Sequence, residues 1–485
     1  MSLPFGEYRP DVSDYMGQHT RNLLNVLPRG DGYGPFNDFS PYGEALPGPC
    51  RGFIKAQKAD GSVAIFAATE TEIYLFNNTD LDWDVVSKDG GPYTAVPATD
   101  QWQFIQFGNY VIAVQVNVVP QFFDLATPTE FDDLAGSPPQ GRYISIVGRF
   151  ALMSGLLTFP QRIQWSGLND VTNWTAGVNS SDYQDFPDGG VVRGVAGGEA
   201  GVILQDLSIR RMVYAPGSPL IFQIERVAED VGLLAPYSLV RSADKIFFLS
   251  SKGFMTLTPS GYPEPIGKER VDRTIMADID QSNLHMVLGA SDPKSSRVFW
   301  AYKSVSGEAG LFDKILCYDY ALNRFSLTEM SGEFLSTLSQ PGITLEGLDT
   351  ISTSIDALPQ SLDSYAGSSL PEVAAFDGTH NLGFFGGETL EATMETPEHG
   401  VEGKRIFVRG FRPITDAAVG YGSASRRENL QDTATYTDES LINGQGFCPL
   451  RASTRLSRGK LRIPAGEEWT FASGIEHDVV QEGTR

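Results

Sequence analysis

The chain has 485 residues, enough for two or three compact units or for one large repeat domain with additions. Its net charge of −23 argues against tight binding along a nucleic-acid backbone, because phosphate affinity comes from Lys and Arg displacing condensed counterions. A hydrophobic share of 41% with 51 Gly, 29 Pro, 18 Tyr and 29 Phe points to many short strands joined by many turns, an all-β chain.

Cys50, Cys317 and Cys448 lie far apart, and neither a signal peptide nor an apolar run near the ~18 residues of a membrane span is found. The expectation is a protein without a membrane span that folds in a reducing cytoplasm. The sequons at Asn77, Asn173 and Asn179 carry little weight without a secretory signal.

Residues 1–50 carry Pro or Gly every few positions, and only GQHTRNLLNVL has the composition for a helical turn or two. Tyr15, Tyr33, Phe36, Phe39 and Tyr42 would be wasted in a disordered tail, so the segment is predicted to be an ordered extended arm docked on a neighbour. Apolar, β-branched and aromatic runs follow, each broken by a short turn: 63–76, 104–115, 143–155, 201–214, 245–258, 296–320 and 373–387. Most start about 40 to 60 residues apart, near the period of β-propeller blades. The prediction is a β-propeller of six or seven hairpin blades, its main blades in 51–335 and its closing hairpin in 373–400. A β-sandwich of similar hairpins is the alternative.

Residues 336–372 read as an acidic insertion that delays the last hairpin. Between Arg324 and Lys404 there is no Lys or Arg, while 13 Asp or Glu occur. Asp349, Asp356 and Asp363 recur there at seven-residue spacing and are candidate channel-facing acids; a solvated insertion is the plainer reading. Residues 401–485 form a C-terminal β-rich domain with 12 Lys or Arg against 11 Asp or Glu, leaving 25 against 49 in residues 1–400. Within it Arg458, Lys460 and Arg462 alternate with Gly459, Leu461 and Ile463, a strand pattern with cations on one face.

Catalytic and metal motifs are weak throughout. His19, His285, His380, His399 and His477 never pair at ligand spacing, and CxxC, HExxH, GxSxG and Walker A patterns are missing. Asp182, Asp185 and Asp188 precede two glycines but lack the calcium-loop spacing and closing Glu. GVAGGEAG (194–201) lacks the strand-then-helix context of a dinucleotide site. Asp278 and Asp280 form an acid pair whose carboxylate separation a sequence does not give. No catalytic, cofactor or metal residue is assigned, and the chain is read as a non-enzyme.

The stretches PFGEYRPDVSDY, NVLPRGDGYGPF, RIQWSGLNDVTNW, GGVVRGVAGGEAGVILQDLSIRRMVY, FFLSSKGF and LRIPAGEEW, with a terminal Gly-Thr-Arg, resemble the β-propeller nozzle or stopper proteins of short-tailed bacteriophages, the packaged-DNA stabilisation family. The resemblance implies a virion tail protein made in the host cytoplasm. It implies a hexameric ring of chains bound to the portal-adaptor above and to a tail needle or plug below, with fibres or spikes at the side. Double-stranded genomic DNA would pass through it. It also implies that RIQWSGLNDVTNW is a structural loop between blades, with Trp165 and Trp174 as buried anchors and Ser166, Asp170 and Asn173 shaping the turns. From other classes, the rivals are a carbohydrate-binding or glycan-cleaving propeller and a propeller scaffold for cytoplasmic assemblies.

Overall fold

The computed structural model describes residues 2–218, 220–292, 294–339, 348, 352, 354, 371–401 and 404–482. Among the described residues, seven four-stranded antiparallel sheets follow one another, and each predicted hairpin run falls in one of them. Blade 1 begins with Gly52–Gln57, blade 2 with Gln103–Phe107, blade 3 with Gly141–Val147 and blade 4 with Val192–Ala196. Blade 5 begins with Val240–Ser242, blade 6 with Leu288–Asp292 and blade 7 with Phe334–Ser339. These first strands are innermost, and Phe334–Ser339 packs back against Gly52–Gln57, which closes the ring. The chain is an all-β protein built on a seven-bladed β-propeller.

The second strand of a blade is covered on both sides by neighbouring blades, which is why it reads as an unbroken apolar run instead of an alternating one. Phe150–Leu156 is buried at every position, and Lys245–Ser250 at all but the first. The cores lie between blades. Phe66, Trp102, Phe123 and Phe131 fill the wall between blades 1 and 2. Residues of blades 6, 7 and 1 share another cluster with Phe36, Tyr42 and Leu46 from the first 50 residues.

Those first 50 residues supply strands to sheets of their own chain. Ser40–Pro41 pairs with Leu382–Phe384 as the outermost strand of blade 7, so strands from both ends of the propeller close it. Ser2–Pro4 and Gly32–Pro35 pair with Ala472–Gln481, and Leu23–Leu24 pairs with Ala392–Glu395. The Pro and Gly density that excludes a core of its own does not prevent single strands from completing other sheets.

The second body is a pair of sheets sharing one core. One sheet holds Cys448–Thr454, Ile406–Thr415, Ala472–Gln481, Gly32–Pro35 and Val26–Arg29 in that order; the other holds Thr435–Tyr436, Tyr421–Arg426, Gly459–Ile463, Ala392–Glu395 and Leu23–Leu24. Phe411, Cys448 and Ile475 of the first meet Met394, Leu461 and Ile463 of the second. Gly32 adopts φ +150, and a Cβ there would sit 2.3 Å from the Ala472 carbonyl oxygen, so the arm hairpin requires glycine at this crossing.

This β-sandwich docks on the outer strand of blade 6. Asn25 N–H donates to the Leu327 carbonyl at 2.9 Å, while Arg324 and Arg297 donate to the carbonyls of Arg29 and Pro28, each at 2.8 Å. Nearby, the Asp11 carboxylate accepts from the backbone N–H groups of Arg273 and Thr274 at the start of the short helix Asp272–Asp278.

Candidate functional site at the propeller channel

The predicted loop connects the third and fourth strands of blade 3, Arg162–Trp165 and Asp182–Asp185, and does not link two blades. The sequence reading missed this because Asp182–Asp185 is a short, exposed edge strand with no apolar alternation. The anchoring roles do appear. Trp165 packs with Phe150 and Phe222 in the wall between blades 3 and 4, and Trp174 with Ile112 and Met153 in the wall between blades 2 and 3. Their indole N–H groups donate to the carbonyls of Ser180 at 2.9 Å and Val171 at 2.7 Å.

Ser166 is fully buried, accepting from Ala151 N–H and donating to the Gly167 carbonyl, both at 3.0 Å. Asp170 accepts from Thr172 N–H, and Asn173 from Thr175 N–H, each folding a local turn. Gly136 packs so tightly on this loop that a Cβ would lie 1.8 Å from the Thr172 carbonyl oxygen. Every group is engaged by the chain itself. Asp349, Asp356 and Asp363 lie outside the described residues, between the paired ends Ser339 and Pro371 of the first two strands of blade 7.

In the described part of the surrounding basic-free stretch, several acids are taken up by cations of the same chain. Glu391 binds Arg462 at 2.9 Å, Glu398 binds Arg427 at 3.2 Å, and Glu372 binds Lys294 at 3.1 Å. The predicted one-sided basic strand is likewise used internally. Arg458 makes a buried two-pronged contact with Asp14 of the arm at 2.7 and 3.0 Å, and Arg462 binds Glu439 and Glu391. The aspartates ahead of Gly189 also part company, Asp185 to Arg162 and Asp188 to Arg210 and Arg226.

What the innermost strands enclose is a cavity of ≈ 320 Å³ lined by Phe53, Tyr143, Tyr237, Leu288 and Phe334, with Gly194 among them. At the end where these strands begin, residues 97–101 are tied down by a network that sequence reasoning did not single out. Arg51 donates to Gln101 Oε1 at 2.9 Å and to the Pro97 carbonyl at 3.1 Å. Arg142 pairs with Asp100 at 2.9 Å, and Gln101 N–H donates to the Tyr237 hydroxyl at 2.8 Å. A repeated arginine at the start of innermost strands, Arg51, Arg142 and Arg193, was the available signal.

Burial pushes the phenols of Tyr143 and Tyr237 well above their ordinary range. Burial and the Arg51 charge hold His285 below the ordinary imidazole range. At pH 7 these directions leave the phenols and the imidazole neutral. Asp278 and Asp280 are each held by a cation, Lys314 at 2.8 Å and Lys303 at 2.9 Å. Among the described residues no group of three or more His, Cys, Asp or Glu is arranged to hold a metal ion, and no helix is long and apolar enough to cross a membrane.

No family model and no curated protein matches the chain. Solved structures similar to it include the WD40 repeats of RRP9, at 9% identity and TM-score 0.37 over 62% of this chain and 89% of that one. The WD40 domain of Neurospora crassa Pan2 gives 10% identity and TM-score 0.40 over 72% and 94%. The extracellular domain of the BT4673 one component system of B. thetaiotaomicron gives 9% identity and TM-score 0.45 over 90% of this chain and 47% of that one. These likenesses concern the fold alone.

Proposed function

We propose that the chain is a structural protein of a short-tailed bacteriophage tail, forming the nozzle or hub ring below the portal-adaptor that retains packaged DNA and conducts it during ejection. The reading is carried by the resemblance of the arm, the tryptophan loop and the C-terminal stretch to that family. Those stretches occupy tightly built parts of the molecule: Phe5 and Tyr33 of the arm share the sandwich core with Trp469 of LRIPAGEEW.

Geometry constrains how such a protein would work. The innermost strands of one propeller leave a cavity of only ≈ 320 Å³ between them, too little for duplex DNA to pass. DNA would therefore run through the centre of a ring of chains, with each propeller as a solid wall block. The acid excess of residues 1–400 suits a wall that lets phosphate slide without the affinity a basic wall would create.

Particles assembled without the chain should package the genome and then lose it. Particles that keep their DNA and eject it at the normal rate would remove the retaining role. A glycan-cleaving propeller would need two carboxylates facing a common groove, and the pairing of Asp278 and Asp280 with separate lysines does not favour it.

A further inference from the structure

The sandwich carries a groove of ≈ 710 Å³ that the other described residues leave uncovered. Tyr15, Met16, Val401 and Leu430 line it, each 41–52% exposed. Met16 is held at φ +50, a left-handed conformation that is costly for a side chain of this size, with its N–H fixed to the Glu398 carbonyl at 2.8 Å. An apolar side chain presented to solvent on a strained turn is a feature that a partner would cover.

The groove rim holds two cations and one carboxylate, Glu428. Lys404 and Arg455 belong to it, and Arg455 has only a 3.9 Å contact with Glu428, which is already bound to Arg405 at 2.6 Å. Beyond Arg455 the edge strand Cys448–Thr454 exposes Arg451, and the strand paired with it exposes Arg409. Neither arginine side chain has a carboxylate partner among the described residues. These arginines adjoin the exposed Glu476 and Asp478 of the neighbouring strand Ala472–Gln481, and in a chain of net charge −23 such a patch suits an acidic partner surface.

That counterpart exists on the same molecule, at a place the groove does not reach. The outermost strand of blade 1, Asp82–Val85, has an open edge and exposes Asp82, Asp84 and Val85; Asp80 stands beside it. None of the three aspartates has a cationic partner among the described residues, their contacts being Asn77 Nδ2 and the Trp83 N–H. Residues 51–133, which make up blades 1 and 2, hold 12 Asp or Glu against 4 Lys or Arg. Blade 1 lies two places around the ring from blade 6, where the sandwich docks.

We infer that the groove and arginine face of the sandwich in one copy receives the acidic outer edge of blade 1 in a second copy. The contact is heterologous, two unlike surfaces meeting head to tail, the kind of interface that closes into a ring when its rotation allows. Complementary charge would set its register and its salt dependence. The inference rests on the ring reading above and adds the surfaces that build it.

The test is a charge swap in the full chain, followed by sedimentation. Arg409→Glu with Arg451→Glu and Arg455→Glu should raise the concentration for half-assembly at least about tenfold, and so should Asp80→Arg with Asp82→Arg and Asp84→Arg. Placing both sets in one chain should restore assembly, and mixing the two defective chains should restore rings in which the two variants alternate, since each of their two contacts then joins opposite charges. All sites are exposed, and unchanged thermal unfolding of each variant checks folding. If the parent forms rings that neither set weakens, the interface is wrong and the ring reading stands. A parent that stays monomeric at every concentration sinks both. Should the arginine set keep assembling but lose a salt-dependent affinity of the parent for duplex DNA, the surface reads phosphate and the inference is overturned.

Discussion

Trp165 and Trp174 flank one irregular loop and are buried in different walls, one shared with blade 4 and the other with blade 2. Replacing either with Ala removes a large ring from a close-packed core and should cost roughly 3–5 kcal/mol. Urea unfolding checks this, and a variant with the parent's midpoint would contradict the anchoring role. Asp272 supplies a prediction of a different kind. One carboxylate oxygen accepts from Phe254 N–H at 3.0 Å, the other is buried without a partner, and burial pushes the pKa up to about 6. A raised carboxylate favours the folded state fully below its unfolded pKa and loses that contribution as pH rises through about 6. Asp272→Asn should therefore raise the melting temperature at pH 8 and leave it nearly unchanged at pH 4. Equal shifts at both pH values would show that the effect is not ionisation.

At the scale of elements, the buried second strands of the blades were legible because burial on both sides leaves continuous apolar runs. The outermost strands were not. Asp182–Asp185 and Asp132–Asp133 are short, polar and exposed, so nothing in their composition separates them from loops. The partners of the arm were also hidden, since a pairing such as Leu3 with Ile475 leaves no periodic trace. The arm is accordingly a folding element. A chain starting at Gly52 should lose cooperative unfolding of the sandwich and weaken blade 7, and a truncated chain that melts like the parent would refute this. Arg458→Met, which strands the buried Asp14 carboxylate and leaves Glu398 to Arg427 alone, should cost about 3–5 kcal/mol by chemical unfolding. A loss under about 1 kcal/mol would mean that the pair is exposed to water.

Across the whole molecule, charge is distributed by region: residues 1–400 are strongly acidic, while residues 401–485 are nearly balanced and expose Arg409 and Arg451. The sequence showed that imbalance, but it misplaced its purpose at two points. The alternating cations of 458–462 turned out to hold the arm and neighbouring acids, while the unpaired arginines lie at 409 and 451, where no alternation drew notice. An acidic wall should hold no duplex, so the purified assembly is expected to show no retention of DNA near 0.15 M salt, where charges are screened beyond about 8 Å. Sub-micromolar binding under those conditions would contradict the sliding-wall account. The most direct test of the proposed role is the mass and outline of the purified protein, alone and with an adaptor ring, by sedimentation and electron microscopy. The account predicts closed rings with a central pore, in mass a multiple of the 52.8 kDa chain. A compact monomer under all conditions, or one that cleaves a glycan, would contradict it.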